Sequence, residues 1–117
     1  MARRASPIVV VLVTCPSPSQ ARRLARALIA RRAAACVNVL PGVTSWFRWQ
    51  GKVQRAREAL LIIKTTTRGF EPLRALIRSL HPYEVPEIVA LPVTAAHRPY
   101  QQWVAASLRP SAGSSMP

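Results

Sequence analysis

Apolar and polar positions change rhythm several times along this chain, and each rhythm predicts an element. Ile8 to Val13 is an unbroken apolar run rich in β-branched residues, the pattern of a strand buried on both faces. Thr14 to Pro18 turns the chain. Ser17-Pro18-Ser19-Gln20 then has the form of a helix start: serine at the N-cap, proline in first position, glutamine three residues on. Ala21, Leu24, Ala25, Leu28 and Ile29 follow at helical spacing as one stripe, with Arg22, Arg23 and Arg26 off it. Arg22 and Arg26 repel across one turn, so packing of the stripe must hold this helix.

After Ala33 to Ala35, Cys36 to Leu40 predicts a second strand, broken by Pro41-Gly42 and resumed from Val43 to Trp49. Gln50-Gly51 suits a tight hairpin turn. The return strand, about Lys52 to Thr66, is polar at Gln54, Arg55 and Arg57 and fully apolar from Ala59 to Ile63. Such a hairpin has a wet tip and a dry base. Trp46 faces one side of it and Phe47 and Trp49 the other, because strand side chains alternate. Aromatics on both faces of a projecting ribbon need cover, and a second subunit is the natural source. Arg68 to Leu80 predicts a helix with Phe70, Leu73, Ile77 and Leu80 on one face. A strand over Glu87 to Val93 and a helix over His97 to Leu108, carrying Tyr100, Trp103 and Val104, complete the pattern.

Strand, helix, strand, strand, helix, strand and an added helix make an α+β chain of the ferredoxin-like βαββαβ kind, with an extended hairpin and a C-terminal helix. One domain is expected over residues 8–108, with a frayed start over 1–7 and a disordered tail over 109–117.

One stretch is not explained by propensity. From Ser79 to Pro92 the chain places His81, Tyr83, Glu84 and Glu87 in a link stiffened by Pro82 and Pro86. A rigid loop with scarce titratable groups is a candidate site. The alternative is a connector whose prolines merely stop the helix.

The 117 residues suffice for a core without disulfides. Lys plus Arg is 17 against 4 for Asp plus Glu, a formal net charge of +13. This invites nucleic acid as a partner, but the arginines are scattered from Arg3 to Arg109 rather than gathered, which argues against it. Arg68-Gly69-Phe70 imitates an RNA-recognition signature only until Glu71-Pro72. The apolar runs are too short to cross a bilayer. Cys15 and Cys36, with no Cys-x-x-Cys pair, suit a reducing cytoplasm. A lipoprotein signal ending at Cys15 is a weaker match than a buried strand.

No enzyme is expected. The chain has no aspartate, His81 and His97 are well apart in sequence, and its four glycines build no phosphate loop. Metal binding is the sharper option: His81 and Glu84 can each supply a ligand, and Cys36 or Cys15 can add sulfur if the fold brings one near. One chain offers few ligands, so a symmetric oligomer would have to gather them.

Ala35-Cys36-Val37-Asn38, Pro41-Gly42-Val43-Thr44-Ser45, Trp49-Gln50-Gly51-Lys52, Leu61-Ile62-Ile63-Lys64-Thr65 and His81-Pro-Tyr-Glu-Val-Pro-Glu-Ile together resemble the CutA family of divalent-cation tolerance proteins. The likeness runs in order from about Ile8 to Leu108. It implies a tight homotrimer, similar to the PII signalling proteins, in which long hairpins extend neighbouring sheets. It also implies a role in tolerance of divalent metals, notably copper, with Cu(II) or another divalent cation as ligand and no known reaction. His81 matches the family's histidine, and Glu84 and Cys36 match positions that can join it. Where some members carry a second histidine and a late first-strand cysteine, this chain has Leu80 and Val13. An inter-subunit pocket is expected to draw on His81, Tyr83, Glu84 and Lys64, with Trp49 and Lys52 nearby on the hairpin. Two alternatives remain: a small-molecule or anion sensor using Lys64 and Lys52, and a ligand-free assembly scaffold.

Overall fold

A computed structural model of the chain describes residues 7–110. The frayed start and disordered tail expected at the two ends lie outside those residues, apart from Pro7, Arg109 and Pro110. The elements run β1 (Ile8–Cys15), α1 (Pro18–Ala30), β2 (Cys36–Trp49), β3 (Lys52–Thr66), α2 (Phe70–Leu80), β4 (Val89–Pro92) and α3 (Arg98–Ser107). The sheet order is β2-β3-β1-β4 with every neighbouring pair antiparallel. This is the ferredoxin-like arrangement expected from the order of the elements.

Local chemistry sets the element ends. Ser17 takes an extended backbone and its Oγ accepts from the Gln20 N–H at 3.2 Å, the cap that the sequence announces. Gln50 and Gly51 both have positive φ, 52° and 78°, which makes the two-residue turn that matches strand twist. Pro41-Gly42 does not end β2. Gly42, at φ 76°, forms a bulge, and the pairing slips from Leu40 opposite Leu60 to Val43 opposite Glu58. The ribbon therefore runs unbroken from core to tip.

Alternation divides the sheet into two faces. Val9, Val11, Val13 and Cys15 of β1 and Ala59, Leu61 and Ile63 of β3 are buried against Ala21, Leu24 and Leu28 of α1 and Leu73 and Ile77 of α2. The opposite face carries Val10, Leu12, Leu60 and Ile62, with Leu40, Val89 and Leu91 left 40%, 45% and 46% exposed. Helix α3 contacts β1 and β3, and Tyr100 reaches Cys36. At its far end Arg32, in the left-handed region at φ 57°, donates to the carbonyls of Ala106 and Ser107 at 3.0 and 3.1 Å. Arg109 returns a backbone bond to the Arg32 carbonyl at 2.9 Å. These contacts tie α3 to the α1–β2 turn.

Candidate functional site

The stiff link leaves α2 at His81, whose N–H still closes the last helical turn on the Ile77 carbonyl at 2.8 Å. Its ring then turns inward and is only 8% exposed. The Tyr83 N–H donates to Nδ1 at 3.1 Å, and Nε2 lies 2.7 Å from the Thr14 carbonyl oxygen. A carbonyl only accepts, so Nε2 carries the proton and Nδ1 the lone pair. Both nitrogens are thus engaged by backbone, and the ring pins the link to the end of β1. The Arg78 guanidinium holds the link from the other side by donating to the Glu84 carbonyl at 3.3 Å.

The sulfur beside this histidine is that of Cys15, 3.7 Å from Nε2. Cys36, the other sulfur the sequence offers and the one the family likeness favours, is not assembled with it in one chain. Strand register explains why. Cys36 is opposite Lys64 and Lys64 is opposite Val10, four residues along β1 from Thr14 and two strands away. Cys36 also belongs to the face turned from α1 and α2, where it meets the Lys64 ammonium at 3.9 Å and the Tyr100 phenol. Lys64 also donates to Asn38. The expected pocket therefore splits within one chain into two clusters: Cys36 with Lys64, and His81 with Tyr83 and Glu84.

Sequence reasoning passed over Glu58, which sits where the hairpin leaves the sheet. It is 6% exposed and accepts from the Tyr83 hydroxyl at 2.7 Å. Its only visible signal is an acid directly before the apolar run from Ala59 to Ile63. Burial, the hydrogen bond to Glu58 and the charges of Glu58 and Cys15 push the Tyr83 phenol well above its ordinary range. Burial first, then the Glu58 charge, pushes the Cys15 thiol up to about 11. The result is a cluster in which Cys15 and Tyr83 hold their protons beside the Glu58 carboxylate and the His81 ring.

That cluster sets an alkaline limit on stability. A group whose folded pKa is raised stabilises the fold below its unfolded value and loses that contribution as pH climbs through the folded one. Thermal melts should hold steady below pH 9.0, the ordinary thiol value, and fall as pH rises toward about 11. Cys15→Ala should flatten part of that fall. A wild-type profile level across this range would contradict the cluster.

Above the cluster lies a groove of about 870 Å³ between the hairpin and the link, lined among others by Trp46, Phe47, Trp49, Glu58, Glu84 and Glu87. Three of the chain's four acidic residues thus share one groove. Glu84 and Glu87 are exposed, as is Lys52 at the tip. The donors suit an oxygen-bound divalent cation held loosely. They do not form a closed cage: among the described residues no group of three His, Cys, Asp or Glu side chains is placed to hold a metal.

Comparison with known proteins agrees with the likeness seen in the sequence. The family described as CutA1 divalent ion tolerance protein matches residues 9–107. The divalent-cation tolerance protein CutA of Thermus thermophilus is 53% identical over 95 residues, covering 81% of this chain and 92% of the relative. A solved structure of the Thermus thermophilus protein superposes with a TM-score of 0.85 at 49% identity, covering 87% of this chain and 99% of that one. The human protein CutA is 44% identical over 97 residues, 83% of this chain but only 54% of the relative, so the chain spans little more than half of that longer protein. A structure titled as the periplasmic divalent cation tolerance protein CutA of Archaeoglobus fulgidus has a TM-score of 0.84 at 31% identity, covering 87% of this chain and 99% of that one. The chain belongs to the CutA family of divalent-cation tolerance proteins.

Proposed function

We propose that this protein works as a homotrimer in the response to divalent cations, copper among them, and takes the cation loosely at the groove between hairpin and link. The observation that carries this reading is the placement of acid. A chain with 17 basic and 4 acidic residues gathers Glu58, Glu84 and Glu87 in one groove. Three carboxylates against the single guanidinium of Arg48 line the groove, and a bound cation would neutralise that excess. Glu84 and Glu87 are the accessible ligands. His81 can join them only by exchanging the Tyr83 N–H for metal at Nδ1, and Cys36 only from a neighbouring copy. Binding is therefore weak. Cytoplasmic residence is part of the proposal and rests on the two free cysteines.

Oligomerisation is supported by the apolar sheet face that α3 leaves half-bare and by Trp46, Phe47 and Trp49 on the ribbon, 67%, 43% and 49% exposed. No comparable observation favours an anion at Lys64, which is engaged by Asn38 and Cys36.

Calorimetric titration with Cu(II) tests the site. The Glu84→Gln/Glu87→Gln variant should bind at least roughly tenfold more weakly than wild type, with melting unchanged because both side chains are exposed. Equal affinities would remove the groove from consideration.

A further inference from the structure

A second cleft lies at the opposite end of β3, bounded by the end of α1, the β3–α2 turn and the end of α3. Its volume is about 880 Å³, within the range of small-molecule sites. We propose that it binds a small aliphatic anion, a carboxylate or phosphate head on a hydrocarbon body.

Charge and shape both argue for this class. Arg31, Arg32, Arg68 and Arg109 stand around the cleft, and no acidic side chain lines it. Three of the four glutamates are in the distant groove, and the fourth, Glu71, pairs with Arg74 at 3.0 Å. Guanidinium forks match carboxylate and phosphate oxygens in geometry as well as charge. The rest of the wall is mostly aliphatic, with Leu76 and Leu108 among alanines and prolines beside Thr66, Thr67 and Gly69, and no aromatic ring lines it. A hydrocarbon body fits such a wall better than a base that needs a stacking partner.

The arginines divide by task. Arg32 is spent on the Ala106 and Ser107 carbonyls, so it shapes the cleft and adds only its charge. Arg31 and Arg109 are exposed and supply the forks. The start of α2 is not the anchor. The Gly69 N–H is taken by Thr66, through its carbonyl at 3.0 Å and its hydroxyl at 3.1 Å, and the Phe70 N–H by the Thr67 carbonyl at 3.3 Å. The site rests on side chains.

The test is titration of the full-length protein at fixed ionic strength with octanoate, octyl phosphate, 1-octanol and inorganic phosphate, followed by calorimetry and by the methyl NMR signals of Leu76 and Leu108. One or both octyl anions should bind and move those methyls, and the tighter one identifies the head group. Octanol lacks the charge and phosphate lacks the body, so each should bind at least about tenfold more weakly. Arg31→Gln/Arg109→Gln should weaken octyl-anion binding roughly tenfold. Arg22→Gln/Arg23→Gln, which removes the same charge from the exposed face of α1, should leave it unchanged. The proposal fails if octanol matches the anions, if both double variants behave alike, or if the shifted methyls lie elsewhere.

Discussion

His81→Ala is expected to cost about 3 kcal/mol of folding stability. The substitution strands two backbone groups at once. The Thr14 carbonyl loses the Nε2 donor at 2.7 Å, and the Tyr83 N–H loses its acceptor at 3.1 Å. Each buried group left without a partner costs roughly 1–3 kcal/mol, and the ring also leaves a void beside Cys15. Denaturant unfolding measures the loss, and hydrogen exchange at the Tyr83 amide locates it. If stability barely changes while copper affinity collapses, the imidazole is a ligand and not a clamp. Because the ring serves the fold, copper binding of this variant is informative only beside its stability, and for that reason Glu84 and Glu87 make the cleaner probes.

The second large effect concerns assembly. In light scattering the wild-type protein is expected at three times the 12.9 kDa of the chain, and Trp46→Glu should shift it to smaller species. Trp46 is 67% exposed on the ribbon and its ring has the Arg55 guanidinium 5.5 Å from its centre. Tryptophan anchors at interfaces commonly contribute about 2 kcal/mol or more, and threefold symmetry repeats the loss at every boundary. The lone chain buries little of this ring, so its circular dichroism should not change. An unaltered mass would show that the arm is not an interface, and a wild-type monomer would remove the oligomer altogether.

Local signals carried most of the architecture. The Ser17 cap, the Gln50-Gly51 turn and the unbroken run from Ile8 to Val13 each state their own conformation, because each depends on a few neighbouring residues. Two features depended on partners far along the chain and were not legible. Cys15 meets His81 across 66 residues, and only the register of β1 against α2 and the link decides that Cys15, not Cys36, supplies the nearby sulfur. Glu58 sits among the polar residues Gln54, Arg55 and Arg57 and looks like another solvated position. It is buried because Tyr83, 25 residues on, reaches back to cover it. Pro41-Gly42 was legible as a break but not as a bulge, since the same pair ends a strand or kinks it according to whether the partner continues alongside.

The stapling of α3 to the α1–β2 turn has a practical corollary. Pro7 and Pro110 both line the arginine-rimmed cleft, so the two termini of the folded body leave it side by side. The reverse turn at Gln50 and Gly51 stands at the other end of β3. A fusion partner joined directly at Pro7 or Pro110 would therefore crowd the cleft and spare the arm. A circular permutant that joins the termini by a short linker and opens at the arm's tip would keep every core strand in place.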